Sequence, residues 1–247
     1  MTEPQPIAAE APPPPPPAPF WNWLDAALFL GLAAPSLLLA LAMSRGILLL
    51  FPQQLNTAMR ALLFQFLGYA IWFLALWVML RFRYERSFWG SMAWNVPWPR
   101  MGFTLFLGPL LVITVLILGE LLGTPNVDNA IQRLLQDRLS ILLVGFFAVT
   151  LGPLAEELVF RGFLQPLLIH NFGPAIGILA ASLPFALLHG PQYNWSWQHI
   201  LLLTFASVVF GLTRWRSGST AASTLVHATY NLTFYTAYLL QRKDIFL

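Results

Sequence analysis

The chain contains no cysteine among its 247 residues. Disulfides and thiolate metal sites are therefore excluded. Charge is scarce as well: Asp, Glu, Lys and Arg make up 9% of the residues, where soluble domains average about 25%. The formal net charge of +3 is too small an excess to suggest a nucleic-acid partner. No Lys or Arg precedes Arg45, so the N-terminus does not read as a secretory signal peptide, which opens on a basic segment. There is also no His-Glu-x-x-His segment of the kind that marks one large class of zinc hydrolases. What is plentiful is apolar: 57% of the residues are hydrophobic. This balance defines an integral membrane protein, with the lipid bilayer as its first partner.

Residues 1–20 are polar and rich in Ala and Pro, with an unbroken proline run from Pro12 to Pro17. Proline fixes φ and lacks a backbone donor, so this tail is expected to be extended or disordered. Residues 21–247 are expected to form the membrane-embedded domain. Runs long enough to span a bilayer (about 20 residues) fall near Trp23–Met43, Ala61–Leu80, Met101–Leu122, Leu139–His170, Phe172–Gly190, Trp197–Trp215 and Thr220–Leu240. The piece Ile47–Phe51 is too short to span and suggests an interfacial segment. The expected fold is all-α: a polytopic transmembrane bundle of seven helices, or eight if the fourth run breaks at Pro153. Alternating loops divide the basic residues evenly, and the dense cluster Arg81-Phe82-Arg83-Tyr84-Glu85-Arg86 tips its side toward the cytoplasm.

Within the fourth run, Glu156, Glu157 and Arg161 interrupt an otherwise uncharged stretch. A charge at bilayer depth costs at least about 2.5 kcal/mol even on lenient scales, so three together point to function. Glu157 and Arg161 are four apart and can pair on one helix face. Glu156 is rotated about 100° away. It is expected to lack that partner and so to be available as a general base. A polar packing network that merely neutralises Arg161 is the plainer alternative, but one ion pair needs one carboxylate. Phe185 and His189 share a face of the next helix. A turn at Asn171-Phe172-Gly173-Pro174 would set Glu156 and His189 at one depth, each about 24 Å from the turn at 1.5 Å per residue. In the last helix His227 and Asn231 stand at i and i+4, both able to donate toward one point, as an oxyanion hole requires.

The motifs Pro153-x-x-Glu156-Glu157-x-x-Phe160-Arg161-Gly162-x-Leu164, Ser182-x-x-Phe185-x-x-x-His189 and His227-x-x-x-Asn231 together resemble the CPBP family of intramembrane proteases. That group includes the CaaX prenyl-endopeptidases and bacteriocin-processing relatives. The resemblance covers about residues 139–235, and the protease-like core is expected at about 139–240. A weaker glycine motif is partial: Gly211 and Ser217-Gly218-Ser219 fit, while Ser207 stands where a second glycine is usual. The resemblance implies that Glu156 and His189 activate a water, that His227 and Asn231 stabilise the oxyanion, and that Glu157, Arg161 and Phe185 support the site. It implies a glutamate-dependent mechanism in which no metal is required. Glu156, His189 and His227 would also supply a His₂Glu set for a divalent metal such as zinc.

The implied activity is hydrolysis of a peptide bond in a membrane-associated protein or peptide, in the plasma membrane of a bacterium. Two other classes remain open: a catalytically silent scaffold or immunity factor of the same family, and a transporter built on intramembrane Glu, Arg and His. A transporter commonly shows repeat symmetry between its halves, which is not visible here.

Overall fold

The computed structural model describes residues 18–51, 54–96, 101–127, 129 and 131–241. The proline run lies outside the described residues. All regular structure among those described is helical, without a strand. The α-helices are α1 (Trp23–Gly31), α2 (Ala33–Leu50), α3 (Thr57–Val78), α4 (Phe88–Ser91), α5 (Met101–Leu121), α6 (Arg138–Val149), α7 (Leu151–Glu157), α8 (Gln165–Leu188), α9 (Trp197–Ser217) and α10 (Thr220–Gln241). Two π-helical turns, Met79–Arg83 and Leu158–Leu164, extend α3 and join α7 to α8. Five stretches are long and apolar enough to cross a bilayer: Trp23–Leu50, Thr57–Arg83, Gly102–Leu121, Arg138–Leu188 and Trp197–Ser217. Leu38, Phe103, Phe106, Ile117 and Leu179 are among the large apolar side chains left uncovered on these helices, as lipid-facing residues should be.

Each departure from a straight helix has a local cause. Pro35 lacks the donor for the Gly31 carbonyl and its ring crowds that group, and the first span bends at Leu32, between α1 and α2. The second limb continues to Leu50. Ile47–Phe51 is therefore not a separate segment: Ile47–Leu50 form the last turn of α2, which Phe51 caps by donating its N–H to the Ile47 carbonyl. The fourth run breaks at Thr150 (φ −120°, ψ −75°), three residues ahead of Pro153. Pro153 displaces the carbonyl four residues back, on Val149, so the disturbance appears upstream of the proline.

The expected turn at residues 171–174 is made by Gly173, at φ 78° and ψ 168°. Only glycine takes such a conformation readily. A Cβ on Gly177 would lie 2.6 Å from the Ile169 backbone nitrogen. Residues eight apart cannot meet in a straight helix, so 165–172 and 174–188 form a tight antiparallel hairpin. With that reversal counted and α10 included, the described residues form seven long helical stretches, roughly the number expected.

Helix starts are capped where side chains allow. Asn22 and Asp25 form a reciprocal capping box on α1. Asn56 caps α3 and Asp137 caps α6, and the two caps meet: Asn56 Nδ2 donates to Asp137 Oδ2 at 3.2 Å and to Ser140 Oγ at 2.9 Å. Hydrogen bonds from the Ser140 hydroxyl and amide hold the Asp137 carboxyl below its usual pKa.

α10 sits centrally, against α5, α6, α7 and α9. Glycines permit the closest of these approaches. A Cβ on Gly108 would fall 2.1 Å from Thr229 Oγ1 and 2.6 Å from the Tyr230 backbone nitrogen, and one on Gly145 would strike the Tyr235 ring. Gly108→Val should therefore force α5 off α10 and destabilise the protein by at least the 1–3 kcal/mol typical of overpacking, that is about 1–3 kcal/mol or more. Thermal unfolding in detergent tests this, with Gly102→Val, where a Cβ meets nothing within 4 Å, expected to melt near wild type.

Candidate active site

Two helix distortions bracket the acidic pair. Upstream is the break at Thr150, where Asn231 Nδ2 of α10 donates to the Ala148 carbonyl at 2.8 Å. Downstream is the π turn Leu158–Leu164, which closes with the Gln165 N–H donating to the Phe160 carbonyl. Pro166 follows immediately. It offers no donor, and its ring crowds the Gly162 carbonyl one turn back. Widening the turn from four to five residues accommodates that ring. π turns recur at functional sites, and this one carries Arg161.

Arg161 and Glu157 are both completely buried. Arg161 Nη1 donates to Glu157 Oε1 at 2.9 Å. Arg161 Nη2 donates to the Ser207 carbonyl at 2.7 Å and to Ser207 Oγ at 2.6 Å. The serine that departs from the glycine pattern is thus an acceptor for the buried guanidinium. Aromatic rings enclose the cation: its Cζ lies 4.9 Å from the Phe185 centroid, 5.5 Å from Phe210 and 5.9 Å from Phe160. Each ring face adds cation–π attraction where water is excluded. One turn along, Gln165 Nε2 donates to the Gly211 carbonyl at 2.9 Å, and a Cβ on Gly211 would meet Gln165 Oε1 at 2.8 Å.

Both carboxylate oxygens of Glu157 are engaged. Its Oε1 also faces His227 Nδ1 at 3.0 Å, and its Oε2 accepts from Ser223 Oγ. A carboxylate only accepts, so His227 carries its proton on Nδ1. His227 Nε2 then points to the other glutamate, 3.7 Å from Glu156 Oε2. That distance is beyond a hydrogen bond. Phe210 stacks on the imidazole, with centroids 4.5 Å apart and planes 17° apart, and fixes its tilt. Glu156 is the accessible member of the pair: its side chain is 24% exposed while that of Glu157 is 0%.

His189 is placed differently from the depth argument. Its Nδ1 lies 2.8 Å from the Phe185 carbonyl, so that nitrogen donates within its own helix. The Phe185 ring contacts both histidines, with centroids 4.8 Å from His189 and 5.8 Å from His227. Among the described residues no hydrogen bond or ion pair joins His189 to Glu156; the imidazole nearest Glu156 is that of His227. Nor do three His, Asp or Glu side chains among the described residues converge as a metal site. Glu156, His189 and His227 are not arranged as a ligand set, and no step is assigned to a metal.

Several residues of the site were not apparent as candidates in the sequence. Ser223 continues the α10 stripe of His227 and Asn231 at i−4, a signal that could have found it. Phe210 and Trp21 gave none. Trp21 Nε1 donates to the Phe163 carbonyl on the π turn at 3.1 Å, and its ring stacks on Phe163 with centroids 5.3 Å apart. Met92 covers the turn from another side, 3.1 Å from where a Gly162 Cβ would sit.

Fold and site together define a polytopic membrane protein with a glutamate–histidine centre inside its bundle. Residues 138–233 match the Rce1-like family, described as type II CAAX prenyl endopeptidase Rce1-like. The match covers less than half of the chain, and residues 1–137 and 234–247 lie outside it. No curated protein and no solved structure gives a significant match to the chain.

Glu157→Gln leaves Arg161 charged, buried and uncompensated, and should cost about 3–5 kcal/mol, seen as a large fall in melting temperature and yield. Glu156→Gln, which breaks no hydrogen bond of the network, should melt close to wild type. Trp21→Phe keeps an aromatic ring but removes the indole donor and part of the buried volume, at about 1 kcal/mol or more. Its effect should be localised: hydrogen exchange should quicken across residues 158–165 and stay unchanged in α5.

Proposed function

We propose that the protein is an intramembrane endopeptidase that hydrolyses a peptide bond of a membrane-associated protein or peptide. The observation that carries the reading is the division of labour between adjacent glutamates. Glu157 is consumed by Arg161, Ser223 and His227 Nδ1, while Glu156 is partly exposed and faces His227 Nε2 at 3.7 Å. A network built only to neutralise Arg161 would not need Glu156.

The chemistry follows from that geometry. A water between Glu156 and His227 would meet two acceptors, because the Nδ1 proton shared with Glu157 leaves the lone pair on Nε2. Glu156 takes one water proton as the hydroxide oxygen bonds to the scissile carbonyl carbon. The C–N bond then breaks, and the protonated carboxyl returns that proton to the leaving amine. Glu157 acts through His227 by fixing its tautomer and tilt. Asn231 spends one amide proton on the Ala148 carbonyl and keeps a second for the oxyanion. His189, across the Phe185 ring, is assigned to the substrate side of the same water. This reading moves the resting partnership with Glu156 from His189 to His227, and it calls for no cofactor.

The uncovered apolar helices around the site suit a substrate that reaches it from the bilayer. The bacterial plasma membrane is the proposed location, in keeping with the bacteriocin-processing branch of the resemblance. Comparing protein N-termini in membranes of cells that make wild type or Glu156→Gln at matched levels tests the proposal. Termini present only with wild type would identify the protease and its substrates. On a substrate so found, His227→Ala should lower kcat by at least the 10²-fold typical of a lost catalytic base partner, on the order of 10²-fold. Equal cleavage by wild type and Glu156→Gln would overturn the mechanism. No difference in termini with the natural substrates present would favour a silent scaffold.

A further inference from the structure

Arginines from separate parts of the chain meet at one end of the bundle. Arg81 and Arg83 lie on the π turn that closes the second span, Arg86 follows it, and Arg214 and Arg216 end α9. The segment after α4 joins the two groups. Its Ala93 and Met92 carbonyls accept from the Thr220 N–H and hydroxyl, and its Asn95 carbonyl accepts from Ser219 Oγ. Arg214 Nε donates to the same Thr220 hydroxyl at 3.0 Å.

Little negative charge offsets them. Asp25 is buried and held by Tyr84 Oη and by Arg83 Nε at 3.4 Å. Glu85 is the one exposed acid at this end among the described residues. No carboxylate pairs with Arg81, Arg86, Arg214 or Arg216 among the described residues. The opposite end carries Arg45, Arg60, Arg133 and Arg138 together with Glu120 and Asp137. Around the arginines stand exposed aromatic rings: Trp77, Phe82, Trp89 and Trp215. Such rings mark the level where hydrocarbon gives way to headgroups.

We propose that this end of the bundle is a binding surface for anionic phospholipid headgroups. Guanidinium forks match phosphate oxygens two at a time. The apolar flanks of α3 and α9 continue directly below and would hold the acyl chains. The surface therefore faces the leaflet richer in anionic lipid, and His227 lies about 10 Å beneath it, seven residues along α10 from Thr220. The proposal does not depend on the protease reading.

Retained lipid tests it. The full chain is reconstituted with equal phosphatidylglycerol and phosphatidylcholine, extracted in mild detergent, washed, and its bound lipid measured by mass spectrometry. Wild type should retain phosphatidylglycerol in several-fold excess. Arg81→Gln with Arg216→Gln, both exposed positions, should cut that excess by about fivefold for each arginine that contacts a headgroup. Arg45→Gln, toward the other end of α2, should leave it unchanged. Equal retention of the two lipids by wild type, or an excess that survives the double substitution, or one lost equally in Arg45→Gln, would overturn the assignment.

Discussion

The structure depends on one buried ion pair. A guanidinium at bilayer depth has no water to turn to, and Arg161 is completely enclosed. Everything within reach is arranged to answer it. Glu157 supplies the counter-charge, Ser207 supplies two oxygens, and three phenylalanine rings supply their faces. The same glutamate then orients His227. Neutralising the cation and orienting the imidazole are therefore one arrangement, because both are read from Glu157 Oε1. The break at Thr150 and the π turn set the acidic pair between two departures from α-helical geometry, and a proline accounts for each.

Composition and apolar run lengths made the membrane-spanning, all-helical character legible in the sequence. So were the Glu157–Arg161 pairing, which follows from i,i+4 spacing alone, and the reversal at Gly173, signalled by the Asn-Phe-Gly-Pro turn. The partner of Glu156 was not. Depth arithmetic carried no information on rotation about the helix axis, and rotation decides which imidazole faces the carboxylate. Phe185 packs against both His189 and His227, and its bulk cannot be placed by counting residues. The kinks were legible in kind but displaced, because a proline disturbs the carbonyl four residues before it. For the same reason, Ile47–Leu50 could not be recognised as the final turn of a bent span.

Ser207 shows how a departure from a motif can be read. In the sequence it stands where a second glycine is usual. In the structure it is buried and bonded to the guanidinium, so the hydroxyl replaces close approach with a hydrogen bond at that level. Gly211, one turn further, keeps the close approach, since Gln165 and Ile178 occupy the space a side chain would need. The helix interface thus alternates a polar tie with a steric contact. Neither function alone would fix the rotation of α9 about its axis.

The segment that matches the protease family does not hold its own π turn. Trp21 just ahead of the first span, Phe29 within it and Met92 from the segment after α4 complete its surroundings, and all three precede residue 138. Phe29 meets the Phe163 ring edge-on at 5.0 Å, while Trp21 stacks on it and donates to its carbonyl. Asp25 ties the same short helix to Tyr84 and Arg83 at the arginine-rich end. A continuous chain of contacts therefore runs from the membrane surface, through the first helix, to the turn that carries Arg161. The matched segment carries the glutamate–histidine centre. The N-terminal helices pack on the helix that bears it, so this segment and the rest of the bundle form a single mechanical unit.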